Sequence, residues 1–269
     1  MRIALLSPAI AIALVSCSGK KGEGTIVLTG SSTVAPLVAD AAVRFEKQFP
    51  GRKVEVQTGG SSRGIADALN GRTTFGMISR ELKPDEAALT AHRIALDGVG
   101  VIVHRDNAVT NFTREDLINI YTGKISNWKM LRGKDAPITV ANKAEGRATL
   151  EVFLEYTGLD SADIVASVVV GENQQAIKTV VADPNAIAYV SIGAAASEAA
   201  AGTAVKLANC DGIAPTAENV AAGKFPIMRP LQLVTQGEIP APAREFLEFL
   251  TAPANRDLIE AHLYVPITE

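Results

Sequence analysis

Three strand–turn–helix units with the same turn chemistry constrain the fold of this chain more than any other feature. In the first, residues 25–29 (TIVLT) alternate and are mostly β-branched, which predicts a strand. The turn GSST (30–33) follows, and apolar residues at helical spacing from Val34 to Phe49 predict a helix. Free backbone N–H groups and hydroxyls at such a helix start can bind an anion. Taken alone, the turn is explained more simply as a helix cap, since Ser and Thr are common capping residues.

The same arrangement occurs twice more along the chain. Residues 54–58 predict a second strand, followed by the turn GGSSRG (59–64) and a helix. Residues 138–141 predict a third strand, followed by NKAEGRAT (142–149) and a helix with inward-facing Leu150, Phe153 and Leu154. Ligands of α/β sheets bind at the carboxyl ends of the strands, where these turns lie. The repetition therefore predicts several helix N-termini converging on one small oxyanion.

Composition excludes several classes of protein. The chain has 269 residues, 47% of them hydrophobic and 20% charged, which is typical of a soluble globular protein with room for two domains. Its net charge is −3 and it has no basic patch, so we expect no nucleic-acid partner. His92, His104 and His262 lack metal-ligand spacing, and we expect neither a metal nor a cofactor. Affinity for an anion must then come from local geometry.

The first residues predict a targeting segment. A short basic start (Met1-Arg2) precedes an apolar run over residues 3–15 that is too short to span a membrane. It ends in LVSC (14–17), which resembles a bacterial lipobox, and a polar stretch follows. We therefore expect residues 1–16 to be a lipoprotein signal peptide, Cys17 to be acylated and residues 17–24 to form a tether. A plain cleaved signal is the alternative. Cys210 is expected to be a buried, inert thiol.

Two apolar runs divide the rest of the chain into lobes. Residues 75–79 predict a short buried strand that ends at Ser79-Arg80, and residues 84–91 predict a helix with a proline near its first turn. The runs near Val101 and Leu233 are expected to be strands that connect two α/β lobes. The predicted division is residues 25–101 plus 234–269 for lobe 1 and residues 102–233 for lobe 2.

Seven motifs together resemble a known family. The chain is similar to the phosphate-binding proteins of bacterial ABC importers, within the periplasmic binding protein superfamily. This resemblance implies a two-lobed α/β fold of type II, in which each lobe is a mixed sheet flanked by helices and a two-strand hinge joins them. It also implies a monomer that captures inorganic phosphate and passes it to permease subunits in the periplasm or at the outer face of the cytoplasmic membrane. The motifs are TGSSTVAP (29–36), VQTGGSSRGI (56–65), FGMISRELK (75–83), DGVGVIV (97–103), IYTGKISNWK (120–129), DGIAPTAENV (211–220) and RPLQLVT (229–235).

The resemblance also implies a set of ligand-binding residues. They come from the first turn, the second turn, the end of the third strand and the turn of the opposite lobe. In that order they are Ser32, Thr33 and the backbone of Val34; Ser61 and Ser62; Ser79 and Arg80; and Lys143, Arg147, Ala148 and Thr149.

The chain departs from the family pattern in both lobes. The far-lobe motif has Lys143 in place of arginine and Arg147 in place of serine. Arg147 can bind the anion with its planar fork, or it can pair with Glu145. Many members have an aspartate at the position of Arg80, where it accepts the proton of hydrogen phosphate. Glu81 and Glu145 are the candidate acceptors here.

Three alternatives to phosphate delivery stay open at this point. The same turns suit another tetrahedral oxyanion, such as sulfate, molybdate or tungstate. A lipid-anchored sensing module can use the same fold. A phosphohydrolase is the third alternative, because phosphate-binding turns also serve catalysis, although no G-x-S-x-G elbow or P-loop ending is found.

Overall fold

The computed structural model describes residues 25–267. The predicted signal peptide, Cys17 and the tether lie outside the described residues. The strands are β1 Thr25–Gly30, β2 Lys53–Thr58, β3 Phe75–Ile78, β4 Thr90–His104, β5 Asn111–Phe112, β6 Thr139–Lys143, β7 Val168–Val170, β8 Ala186–Ser191, β9 Val205–Cys210, β10 Met228–Thr235 and β11 Val265–Pro266. The α-helices are α1 Ala35–Gln48, α2 Ser61–Leu69, α3 Arg114–Tyr121, α4 Ala148–Thr157, α5 Asn173–Ala182, α6 Ile192–Ala200, α7 Ala217–Ala221, α8 Ala241–Thr251 and α9 Arg256–Ala261.

One continuous mixed sheet runs through the described part of the chain. Its strand order is β2-β1-β3-β10-β4-β8-β6-β7. β1 is parallel to β2 and β3, and β6 is parallel to β7 and β8, as expected for strands joined by helical crossovers. β10 is antiparallel to β3 and β4, and β4 is antiparallel to β8 and β9. The segments that follow β1, β3 and β6 carry Thr33, Ser79 and Thr149, and all three residues contact Arg229 on β10.

The buried side chains of residues 25–267 form four hydrophobic clusters, and we call the parts packed around the two largest clusters the first and second lobes. The first core joins β1, β3 and β10 to α1 and α8. The second joins the later half of β4 to α3, α4 and β8. β4 therefore runs from one lobe into the other.

The structure places the crossing between lobes earlier in β10 than the sequence predicted. Leu231 and Leu233, assigned above to lobe 2, pack in the first core. In the register of β4 with β10, Met228 lies opposite Gly98, and the Val99 N–H donates to the Ile227 carbonyl. The lobe division remains a proposal, and these contacts favour boundaries near 98 and 228.

The predicted helix over residues 84–91 is wrong. Only Pro84–Glu86 forms a single 3₁₀ turn, and β4 already begins at Thr90. The Glu86 carboxylate accepts hydrogen bonds from Arg80 and from the Lys83 N–H. From Thr90 onward the backbone is extended and pairs with β10, which prevents the helix from continuing.

The expected burial of Cys210 is confirmed. Cys210 is a buried free thiol, and burial raises its pKa to about 11. Trp128 is also buried, and it donates its ring N–H to the Asn185 carbonyl, so it packs in the second core. Within residues 25–267, no helix has the length and apolar character needed to cross a membrane.

Candidate anion-binding site

A buried arginine lies where the two lobes meet. Arg229, on β10, has only 2% of its surface exposed. Its Nε and Nη2 atoms donate to Asp97 Oδ2 on β4 at 3.2 and 2.9 Å. The two residues are direct partners in the antiparallel register of β10 with β4. The sheet therefore holds the guanidinium in a fixed orientation, with Asp97 behind it.

Hydroxyls from both lobes converge on the remaining edge of this guanidinium. Arg229 Nη2 donates to Thr33 Oγ1 at 3.1 Å. Arg229 Nη1 donates to Thr149 Oγ1 at 2.9 Å and, at 3.4 Å, to Ser79 Oγ. Thr33 and Ser79 belong to the first lobe and Thr149 to the second. The three were all predicted as ligands, and the structure brings them together around one cation.

Hydrogen bonds to Ser31 and Tyr264 fix the position of Thr33 in the first turn. Ser31 Oγ accepts from the N–H groups of Thr33 and Val34 at 3.2 and 3.4 Å. The Tyr264 hydroxyl donates to the Thr33 carbonyl at 2.8 Å. Ser32, also predicted as a ligand, is only half-buried and lines a neighbouring cavity. Thr33 is therefore the residue of this turn that reaches Arg229.

The second turn supports the site and contacts the opposite lobe. Ser61 is buried, and its Oγ accepts from the Ser79 N–H at 3.1 Å. Ser62 is exposed, and its N–H donates to the Gly146 carbonyl of the far turn at 3.2 Å. Gly60 makes this approach possible: it has φ of 93°, and a Cβ there would lie 2.7 Å from the Gly146 oxygen.

The far lobe adds a second buried cation. Lys143, at the end of β6, has 3% of its surface exposed. Its Nζ donates to the Glu172 carbonyl at 2.9 Å and lies 3.4 Å from Asn173 Oδ1. Burial, with a further contribution from the positive charge of Arg229, lowers the pKa of Lys143 to about 7. Ala148 and Thr149 follow at the buried N-terminus of α4, whose first N–H groups have no intrahelical partner.

Three residues of the site were missed by sequence reasoning. Arg229, Asp97 and Asn173 were not predicted, although Arg229 and Asp97 stand inside two of the quoted motifs. One sequence signal could have found the pair: Asp97 and Arg229 each stand at the start of an apolar strand motif. Buried charges are normally paired, so two opposite charges in such positions indicate a buried ion pair. Asn173, at the start of α5, donates from Nδ2 to Thr33 Oγ1 at 3.1 Å and so connects the lobes.

Arg147 does not make its predicted alternative contact. Its Nη1 donates to Glu172 Oε1 at 2.6 Å, whereas Glu145 accepts from Ser161. The Arg147 and Glu172 side chains are 20% and 28% exposed, so the pair lies at the rim of the site. A pair between Arg147 and Glu145 is therefore wrong, and the role of Arg147 as a ligand remains a prediction.

Arg80 lies in an ion-pair cluster beside the site. It donates to both carboxylate oxygens of Glu86 at 2.7 Å, and its Nε lies 3.0 Å from Glu151 of the second lobe. Glu151 also pairs with Lys83 at 2.5 Å. Burial by itself would raise the pKa of Glu86, but the hydrogen bonds from Arg80 and the Lys83 N–H, together with the positive charges of these two residues, lower it on balance. Arg80 thus joins the two lobes by an ion pair, and direct ligation by it remains a prediction.

The candidate proton acceptors are engaged with residues away from Arg229. Glu81 is exposed and accepts from Arg93 at 2.5 Å. Glu145 is exposed and accepts from Ser161. Two cavities of about 600 and 610 Å³ flank the interlobe contact, one beside Ser32 and Tyr264 and the other beside Arg80 and Glu151.

The hydrogen-bond inventory defines the chemistry that this site can bind. The oxygens of Thr33, Ser79 and Thr149 already accept from Arg229, and Thr33 accepts from Asn173 as well. Within residues 25–267 their hydroxyl hydrogens have no recorded acceptor, so each can donate to a further group. A site with spare donors and a fixed cation suits a ligand that only accepts, such as a tetrahedral oxyanion. No group of metal-ligating side chains is found in this described part.

Two α/β lobes with a donor-rich site between them define the class of two-lobed solute-binding proteins. The sequence profile of the PBP superfamily domain matches residues 17–254, and the chain belongs to this family. The predicted fold class and family resemblance are therefore confirmed.

Individual relatives cover most of the chain. It is 32% identical over 256 residues to the phosphate-binding protein PstS of Bacillus subtilis (strain 168), which covers 93% of this chain and 83% of that protein. A Clostridium perfringens crystal structure of a phosphate ABC transporter substrate-binding protein with bound phosphate is 30% identical, with a TM-score of 0.86 over 91% of this chain and 100% of that one. The ABC-type phosphate transport receptor of Vibrio cholerae is 30% identical, with a TM-score of 0.73 over 90% of this chain and 100% of that one.

Proposed function

We propose that this protein captures inorganic phosphate between its lobes and delivers it to the permease of an ABC importer. One observation carries the proposal: hydroxyls from both lobes surround the fixed, buried Arg229 with donors that have no acceptor in the described residues. A bound oxyanion would accept from these hydroxyls, while Arg229, whose five N–H groups already donate to Asp97, Thr33, Ser79 and Thr149, would hold the hydroxyl oxygens in place and supply positive charge beside the anion. The relatives' names, phosphate-binding protein and phosphate ABC transporter substrate-binding protein, support phosphate as that anion.

Another tetrahedral oxyanion is the second candidate ligand. Discrimination of hydrogen phosphate against fully ionised sulfate needs an acceptor for the phosphate proton. The two predicted acceptors, Glu81 and Glu145, are exposed and bonded to Arg93 and Ser161. This observation favours weaker discrimination than a site with a carboxylate beside the anion would give.

Titration calorimetry with phosphate, arsenate, sulfate and molybdate at neutral pH tests both candidates. Phosphate and arsenate are expected to bind with a stoichiometry of one, and more tightly than sulfate. Equal affinity for sulfate would identify a general oxyanion binder. No heat with any of the four anions would contradict the proposal.

Binding rather than catalysis is the role we propose for the site hydroxyls. Thr33, Ser79 and Thr149 bond to a cation and to other donors, and among residues 25–267 none bonds to a histidine or carboxylate that would activate it as a nucleophile. Incubation with a chromogenic phosphate ester is expected to give no turnover above the rate without protein. Turnover abolished by Thr149→Val would instead identify a phosphohydrolase.

We also propose that the protein acts as a lipid-anchored monomer outside the cytoplasmic membrane. The proposal rests on the LVSC motif that ends at Cys17. Wild-type protein from cells is expected to partition into detergent, whereas Cys17→Ser is expected to remain in the aqueous phase or unprocessed. A wild-type protein with an unmodified N-terminus in the aqueous phase would contradict this anchoring.

A further inference from the structure

Lys143 differs from Arg229, the other buried cation of the site, in having no carboxylate partner in the described part of the chain. Arg229 is neutralised by Asp97 at 2.9 Å. Lys143 instead contacts two neutral oxygens, the Glu172 carbonyl at 2.9 Å and Asn173 Oδ1 at 3.4 Å. An ammonium group has three N–H donors, and the third has no acceptor among residues 25–267. A buried charge without a counter-charge is costly, and the cost is removed if the amine is neutral.

The groups around Lys143 do not supply that counter-charge. Arg229, on β10, and Arg147, before α4, both lower its pKa by charge repulsion. Glu172, before α5, raises it, but this carboxylate is already engaged with Arg147 at 2.6 Å. The Tyr189 hydroxyl, on β8, accepts from the Lys143 backbone N–H at 3.4 Å and stays neutral, because burial raises its pKa.

We propose that Lys143 is neutral in the empty site above neutral pH and takes up a proton when a dianion binds. Capture of dianionic phosphate is then coupled to the uptake of about one proton by the protein. The inference rests on the proposed function and extends it, because proton uptake by Lys143 then accompanies phosphate binding. The lowered pKa of about 7 agrees with the geometric argument.

The physical cause is charge compensation among side chains that are buried. Because Asp97 neutralises Arg229, and Glu172 pairs with Arg147, the empty site has almost no net charge. A bound dianion beside Lys143 supplies the missing counter-charge and raises the pKa of the amine. The lysine thereby gains its third hydrogen bond and its charge in one step.

Calorimetry in two buffers with different ionisation enthalpies measures this proton uptake directly. At about pH 8.5 inorganic phosphate is already almost wholly the dianion, so the ligand alone has no proton to release. Wild type is expected to take up about one proton per phosphate, with affinity falling about tenfold for each further pH unit. Lys143→Arg is expected to take up none, because a guanidinium stays protonated at this pH.

Subtracting the proton uptake of Lys143→Arg from that of wild type removes the contribution of protons that both proteins take up at other residues. Equal uptake by wild type and Lys143→Arg would overturn the inference while leaving phosphate binding intact. No phosphate binding by wild type would instead overturn the proposed function. If Lys143→Arg does not fold, Lys143→Gln provides the same test, because an amide cannot take up the proton either. Uptake retained in Lys143→Gln would overturn the inference.

Discussion

Replacing Arg229 by lysine tests whether its planar fork, and not only its charge, holds the anion. Arg229 makes four contacts of 3.2 Å or less: two to Asp97, one to Thr33 and one to Thr149. A lysine keeps the charge that Asp97 needs, but it cannot bridge the carboxylate and both hydroxyls from one position. Alanine is a poorer choice, since an unpaired buried Asp97 would cost about 3–5 kcal/mol of stability.

The expected loss follows from the contacts that lysine cannot replace. At least one charge-assisted hydrogen bond that holds a site hydroxyl toward the anion is lost, and such bonds contribute about 1.5–3 kcal/mol each. Phosphate affinity should therefore fall roughly ten- to hundred-fold or slightly more in Arg229→Lys. Titration calorimetry gives the affinity, and a thermal melt followed by circular dichroism shows that the variant remains folded.

Arg80→Lys is the matched control, because Arg80 is also buried but bonds to Glu86 and Glu151. It is expected to lower the melting temperature while changing phosphate affinity less than Arg229→Lys does. The reasoning is refuted if Arg229→Lys binds phosphate as tightly as wild type. It is also refuted if Arg80→Lys loses more affinity than Arg229→Lys, which would make Arg80 the principal ligand.

Three further changes test the contacts around the site. Gly60→Ala puts a Cβ 2.7 Å from the Gly146 oxygen of the opposite lobe, at a φ of 93° that alanine rarely adopts. Because the clash keeps the lobes apart, titration calorimetry should show at least about tenfold weaker phosphate binding. Unchanged affinity would show that the lobes need not approach each other here. Glu151→Gln turns the ion pair between Glu151 and the buried Arg80 across the lobes into a neutral hydrogen bond, which weakens it by about 1 kcal/mol. Stopped-flow release of phosphate should then be roughly fivefold faster, and an unchanged release rate would contradict a role of this pair in closure. The pKa of Lys143 is lowered in the folded protein, so the unfolded chain keeps the lysine proton to higher pH than the folded protein does. In urea unfolding without phosphate, between about pH 7 and 9, the free energy of unfolding of wild type relative to Lys143→Met should therefore rise with pH, by at most about 1.4 kcal/mol per pH unit. A difference that does not change with pH would show that Lys143 has an ordinary lysine pKa.

Local sequence patterns determined the elements that carry the site. Alternation in residues 25–29 and helical spacing after Val34 predicted β1 and α1, and the structure has both. The hydroxyl turns predicted Thr33 and Thr149, which lie at Arg229. These predictions succeed because strand, turn and helix preferences depend on neighbours within a few residues. The apolar runs near Val101 and Leu233 likewise predicted the strands that run between the lobes.

Tertiary structure alone decided which charges pair. Asp97 and Arg229 are separated by 132 positions, and only the register of β4 with β10 places them opposite each other. Arg147 has Glu145 two positions away in sequence, yet it pairs with Glu172, because the turn before α4 packs against the start of α5. Sequence patterns specify which face of an element is buried, whereas the partner of a buried charge depends on how distant elements pack. For this reason the sequence predicted the hydroxyls of Thr33, Ser79 and Thr149 but did not predict Arg229, to which all three bond.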